Sequence, residues 1–189
     1  MKPILRDTRR LAVGVALACA TILFPTATLV AAASRAPTTV TSCDASNIHV
    51  WAAAEGYGTA GTTYYELEFS NVGRRTCTLH GYPDVWAIDL DGLQIGRPAS
   101  HQGVPGAVRL QPGATSHAVV GVEDAGAVCG RSAVTAEGLR VVPPGQTLPK
   151  PAGEADTVEH FSLQVCAHQS SMNVRPVHSG TGIPGYTFS

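Results

Sequence analysis

The chain has 189 residues and a formal net charge of −1, and 44% of its residues are hydrophobic while 14% are charged. The charged fraction is well below the roughly 25% of an average globular chain and the apolar fraction is ordinary, which excludes a disordered polyampholyte and a coiled coil. The length accommodates one domain or slightly more. The balance of 13 Lys and Arg against 14 Asp and Glu argues against a nucleic-acid-binding protein.

Residues 1–33 form the first predicted element, a signal peptide. A basic start is followed by an uncharged apolar run over residues 11–33, and Ala31 and Ala33 occupy the −3 and −1 positions of a cleavage site before Ser34. Cleavage removes four basic residues but only Asp7 among the acidic ones, so the secreted chain is acidic, which argues against a phosphate-binding face.

Three other interpretations of this segment stay open. The apolar run is long enough to span a bilayer as an uncleaved anchor, which would leave the protein membrane-anchored and facing outward, although Pro25 weakens it. Cys19 lies in a poor lipobox, because Ala16 stands where Leu is preferred. The pair Arg9 and Arg10 matches a twin-arginine signal weakly. Secretion after cleavage is the prediction, with membrane contact only through this segment if it is retained.

Four cysteines remain once Cys19 leaves with the signal peptide: Cys43, Cys77, Cys129 and Cys166. An even number in an exported chain predicts two disulfides. No CxxC spacing occurs, so neither a thioredoxin-like redox pair nor a zinc ribbon is indicated. Of the three possible connectivities we favour the sequential one, because each pair then brackets a group of predicted strands.

Short apolar runs between turn signals predict an all-β domain over residues 43–178, preceded by a flexible spacer (34–42) and followed by a C-terminal tail (179–189). The clearest strand covers residues 63–70, with Tyr65, Leu67 and Phe69 on one face and Tyr64 and Glu66 on the other. Other strands are predicted at 48–54, 85–90, 93–96, 107–110, 116–122, 139–142, 158–165 and 173–177. This number of short strands favours an antiparallel, disulfide-stapled β-sandwich of immunoglobulin-like type over a closed barrel.

A tight hairpin is predicted between the strands at 85–90 and 93–96. Asp91 and Gly92 separate them, and this dipeptide is typical of a two-residue type I′ turn.

Three segments carry a family resemblance: NVGRRTCTLHGYPDVWAIDLDGLQIG (71–96), VRLQPGATSHAVV (108–120) and GLRVVPPGQT (138–147). Together they resemble an actinobacterial family of secreted proteins and lipoproteins, domain of unknown function 4232. The resemblance implies an exported single domain with a β-sandwich fold and paired cysteines. It implies no known catalytic residue.

One motif suggests metal chemistry, Cys166-Ala-His168 followed by Met172 near the C-terminus. Type 1 copper proteins place Cys, His and Met in this order on one loop. The single residue between Cys166 and His168 is short for such a loop, and the assignment would leave an odd thiol in an oxidising compartment. Because of these two objections, a secreted copper-binding electron-transfer protein is the alternative function and not the leading one.

The leading functional prediction is an exported, non-enzymatic binding or structural module of the cell envelope or extracellular space, with no cofactor. Its expected partner is an envelope polymer or another exported protein, and Tyr57, Tyr64 and Trp86 are the candidate contact residues. A third possibility is a hydrolase whose catalytic residues assemble from distant positions.

Overall fold

A computed structural model of the protein describes residues 40–59, 61–146, 157–159 and 161–180. The predicted signal peptide, most of the spacer and the tail from residue 181 onward lie outside the described residues. The strands, numbered along the chain, are β1 (Ile48–Ala52), β2 (Tyr57–Thr59), β3 (Thr62–Asn71), β4 (Cys77–His80), β5 (Asp84–Ile88), β6 (Gln94–Ile95), β7 (Ser100–His101), β8 (Ala107–Leu110), β9 (Thr115–Glu123), β10 (Ala133–Ala136), β11 (Gly138–Val142), β12 (Thr157–Glu159), β13 (Leu163–Cys166) and β14 (Met172–Val174). A short helix, α1 (Ala125–Cys129), follows β9.

The strands form two main sheets and two ribbons. The larger sheet has the order β1-β3-β9-β14-β7, with β2 also paired to β3, and the smaller sheet has the order β12-β11-β5-β6. The ribbons are β4 with β8 and β10 with β13. Within the described ranges every pairing of named strands is antiparallel except that of β7 with β14. The chain therefore passes from the smaller sheet to the larger one between β6 and β7.

The core lies between the two main sheets. In β3, Leu67 and Phe69 are fully buried and alternate with partly buried polar residues, as the period-2 pattern predicts. They belong to one hydrophobic cluster with Val85 of β5 and with Leu139 and Val141 of β11. Two sheets that share one apolar layer form a sandwich, so the predicted antiparallel β-sandwich is confirmed. Its immunoglobulin-like type stays a prediction.

Two disulfides tie the segments before β1 and after β9 to the two ribbons, in the sequential order that the strand grouping favours. Cys43, just before β1, is bonded to Cys77 at the start of β4, and Cys129 at the end of α1 is bonded to Cys166 of β13. The paired cysteines are separated by 34 and 37 positions. In the chain-entropy model each closed loop of this size contributes roughly 4 kcal/mol to stability.

The predicted hairpin forms between β5 and β6, but its turn is not type I′. Gly92 has φ 75°, whereas no non-glycine residue of the described ranges has a positive φ, so Asp91 cannot occupy the first central position of a type I′ turn. The Gly92 N–H donates to the Asp89 carbonyl at 3.0 Å, and the Asp89 N–H donates to the Leu93 carbonyl at 3.0 Å. The loop thus has three residues and ends in a left-handed glycine. The Asp89 carboxylate stabilises it by accepting from the N–H groups of Asp91 and Leu93.

Candidate functional site

The candidate site is the face of the six-stranded sheet that is turned away from the core, termed the outer face. Side chains alternate across a strand, so the residues between the core positions of β3 lie on this face. The neighbouring strands contribute their own outward residues at matching register positions. The aromatic and charged side chains of this region include those of Trp51, Tyr57, Tyr64, Glu66, Glu68, His117 and Arg175, together with His49 and Glu123.

Two aromatic side chains of the outer face are open to solvent. Trp51 is 44% exposed and lies opposite Glu68, and Tyr57 is 47% exposed and lies opposite Tyr64. Their partners are four residues apart on β3, so the two aromatic positions are separated by roughly 13 Å along the sheet. Tyr64 is partly buried, and the guanidinium carbon of Arg175 lies 5.4 Å from its ring centroid, which is a cation–π arrangement.

A buried histidine lies beneath the polar part of this face. His117 of β9 is 2% exposed, and its Nδ1 lies 2.8 Å from Oε1 of Glu66 and 3.9 Å from Oε1 of Glu68. The 2.8 Å contact does not have hydrogen-bond geometry. The backbone of His117 exchanges two hydrogen bonds with that of His178. These contacts join β3, β9 and the segment after β14, and the imidazole between them is buried.

The structure brings together two of the three aromatic residues predicted as contacts. Tyr57 and Tyr64 are direct cross-strand neighbours. The expectation that Trp86 is exposed is wrong, because Trp86 is 8% exposed and packs with Ile88 and Val142. Its role as a contact residue stays a prediction. The strand β5 is covered on both faces, so even its outward side chains are buried. Trp51 was not predicted, although the apolar alternation of Val50 and Ala52 places it outward.

The residues of the copper alternative do not converge. The Sγ of Cys166 is bonded to Cys129, so it offers no thiolate, and Met172 is buried in the core cluster while His168 is exposed. A blue-copper site requires a free cysteine thiolate beside its histidines. In the part of the chain that the structure describes, no three His, Cys, Asp or Glu side chains are grouped closely enough to hold a metal ion.

Comparison with known proteins identifies the family. The model of the family described as Domain of unknown function (DUF4232) matches residues 43–178, more than two thirds of the chain. The chain belongs to this family. No curated protein and no solved structure gives a significant match. The resemblance seen in the three sequence segments is thereby confirmed.

The Gly81-Tyr82-Pro83 motif of the DUF4232 domain has a structural explanation. The Tyr82 ring stacks on His101 with the centroids 4.3 Å apart, and its hydroxyl donates to the Gly103 carbonyl at 2.5 Å. These contacts hold the start of β5 against β7 and the loop after it, where the chain changes sheets.

Among the described residues of the DUF4232 domain there is no helix with the length and apolarity needed to cross a bilayer.

Proposed function

We propose that the protein is an exported, non-enzymatic binding module of the cell envelope or extracellular space, and that it contacts its partner through the outer face. The observation that carries the proposal is the pair of exposed aromatic side chains, Trp51 and Tyr57, on one sheet face. Tyr and Trp bury a large apolar area while keeping a polar group in contact with water, so they are enriched where proteins bind partners. The charged residues Glu66, Glu68 and Arg175 beside them supply directional polar contacts.

The non-enzymatic part of the proposal is supported by the burial of the histidine in the most suggestive acid–base pair. General acid–base catalysis requires a side chain within hydrogen-bond reach of the substrate. His117, the histidine next to Glu66, is covered by its own sheet and by the segment carrying His178. It therefore serves better as an internal tie between strands than as a catalyst.

Export is supported by the two disulfides together with the signal-peptide pattern of residues 1–33. Disulfides form and persist in oxidising compartments.

The proposal predicts that the protein recovered from a culture supernatant begins at or near Ser34. The intact mass of that protein measures its first residue directly. Recovery of only the full-length chain with the membrane would favour an anchor, and lipid on Cys19 would contradict signal cleavage before Ser34.

The binding role predicts that the double variant Trp51→Ala/Tyr57→Ala loses affinity for isolated bacterial cell walls. Removal of two exposed aromatic contacts should lower the affinity about thirtyfold or more, since each such anchor is worth on the order of 1–2 kcal/mol. Co-sedimentation of the purified protein with the walls measures the bound fraction. Walls treated with protease beforehand distinguish a polymer from a wall-associated protein as the partner.

The matched control is Leu90→Ala/Leu93→Ala, which removes two exposed apolar side chains from the hairpin of the smaller sheet. This variant should bind within about twofold of the unmodified protein, because it leaves the outer face intact. Equal losses in both double variants, or full binding by the aromatic double variant, would contradict the proposed contact surface.

A further inference from the structure

A second surface, distinct from the outer face, lies at the far end of β3. A groove with a volume of about 570 Å³ opens there, next to the Cys43–Cys77 disulfide. It begins at Asn71, three residues along β3 from Glu68 of the outer face, or roughly 10 Å away. The groove is lined by Thr41, Ser42, Asp44, Asn47, Asn71, Val72, Gly73, Arg74, Arg75, Thr76 and Cys77.

The loop that carries Arg74 and Arg75 is held in one conformation by a buried amide. The Nδ2 of Asn71 donates to the carbonyls of Arg75 at 2.9 Å and Leu110 at 3.1 Å, while its Oδ1 accepts from the Gly73 N–H at 2.9 Å. The side chain of Asn71 thus directs its hydrogen bonds to this loop and to β8. Two adjacent guanidinium groups are presented from a fixed backbone, which lowers the entropic cost of binding a ligand.

The two arginines are exposed, and no carboxylate of the described residues forms an ion pair with either of them. A third arginine extends the same positive region. Arg109 of β8 lies opposite Thr78 of β4, and Ser42 bridges Thr78 from the other side. Cys77, Leu79 and Leu110 are buried, so the residues that alternate with them turn outward.

The surface therefore has two positions at which arginine side chains lie near hydroxyl groups. One is the groove with Arg74 and Arg75, and the other is the outward side of the β4–β8 ribbon with Arg109. Arg75 precedes Thr78 by three residues, so the arginine loop lies within roughly 10 Å of Thr78, the cross-strand neighbour of Arg109. Guanidinium groups match the geometry of phosphate oxygens, and hydroxyl groups donate to the same acceptors. A single phosphate group can bind at only one of these positions, whereas a polymer of phosphate groups can bind at both at once.

From this charge complementarity we propose that the groove and the outward side of the β4–β8 ribbon bind a polymer with repeated phosphate groups. The acidity of the secreted chain argues against a phosphate-binding face in general, but Arg74, Arg75 and Arg109 are exposed and form a local positive region. This binding goes beyond the proposed function, because it uses a different surface and a different chemistry from the aromatic outer face.

Asp44 limits the strength of this attraction. Its carboxylate accepts from the hydroxyl of Ser46 at 2.8 Å and from the Ser46 N–H at 3.0 Å, and these hydrogen bonds lower the pKa of Asp44. It is ionised at neutral pH and lines the same groove as the arginines.

The variant Asp44→Asn keeps the capping geometry and removes the repulsion between the Asp44 carboxylate and the phosphate groups. It should therefore bind phosphate polymers about twofold to threefold more tightly.

The experiment is a calorimetric titration of the purified protein with long-chain inorganic polyphosphate at several salt concentrations. Arg74→Gln/Arg75→Gln should lower the affinity about tenfold, and the slope of log affinity against log salt should fall by about two, one for each lost phosphate contact. The matched control, Arg97→Gln/Arg131→Gln, removes two exposed arginines that do not line the groove and should bind within about twofold of the unmodified protein.

The proposal would be overturned by equal losses in the two double variants or by no measurable binding of polyphosphate, including the case in which phosphatidylglycerol vesicles bind and polyphosphate does not. Orthophosphate should bind far more weakly than the polymer, and equal affinity per phosphate would also contradict a polymer site. Thermal unfolding of each variant shows that the fold is retained. The Trp51→Ala/Tyr57→Ala variant should bind polyphosphate normally, so failure of the phosphate site is distinguishable from failure of the outer face.

Discussion

Replacement of Cys129 by alanine should lower the free energy of unfolding by about 2–5 kcal/mol, the usual loss for a native disulfide in a small secreted domain. The bond joins α1 to β13 across 37 positions, and α1 has only five residues. A helix of this length is not stable alone in water, so the bond also fixes α1 against the sandwich. Equilibrium unfolding in denaturant under non-reducing conditions measures the change.

The double variant Cys129→Ala/Cys166→Ala is the control for effects of the free thiol. It should lose a similar amount of stability, because Cys166 is buried and the lost cross-link dominates in both proteins. Titration of the unfolded, unmodified protein should find no free cysteine among the four of the domain. A free thiol there, or an unchanged unfolding midpoint in Cys129→Ala, would contradict the disulfide framework.

Gly96→Ala should destabilise the protein by about 3–5 kcal/mol, combining backbone strain with a steric clash. Gly96 follows β6 with φ 67°, and a Cβ added there would overlap the carbonyl oxygen of Cys166 and lie 2.9 Å from that of Gln169. Both contacts are with backbone, which cannot move without displacing the disulfide-bonded end of β13. Urea unfolding curves of the purified variant test this expectation.

Gly113→Ala separates the two contributions. Gly113 has φ 79° and no heavy atom within 4 Å of an added Cβ, so its variant should show the backbone strain alone, about 1–2 kcal/mol. If both glycine variants lose the same stability, the close approach of Gly96 to Cys166 is not a determinant of the fold.

The strand pattern of the core was predictable because burial on one face leaves a period-2 signature. In β3 the alternation identified Leu67 and Phe69 as core and Tyr64 as outward, and the structure confirms both. The predicted strand at 158–165 is instead two strands, β12 and β13, which belong to different pairings. The sequence of a short strand does not determine which other strand it pairs with.

The candidate site was only partly predictable, because exposure depends on what covers the second face of each sheet. Trp51 and Trp86 both lie on strands rich in apolar residues, yet one is open and the other is buried. Trp86 packs with Ile88 of its own strand and with Val142 of β11, a partner distant in sequence that no local pattern reports. The arginine loop was also not predicted as a site, since its rigidity comes from the contact of Asn71 with Leu110, 39 positions away.

The claim that the outer face is the contact surface is tested most directly by tryptophan fluorescence, because the chain has two tryptophans in opposite environments. In Trp86→Phe the emission reports Trp51 alone, and in Trp51→Phe it reports the buried Trp86. On addition of soluble fragments of bacterial cell walls, we expect the Trp51 emission to shift to shorter wavelength and to lose accessibility to iodide, while the Trp86 emission stays unchanged. Binding that leaves the Trp51 emission and its quenching unaltered would contradict the assignment of the outer face as the contact surface.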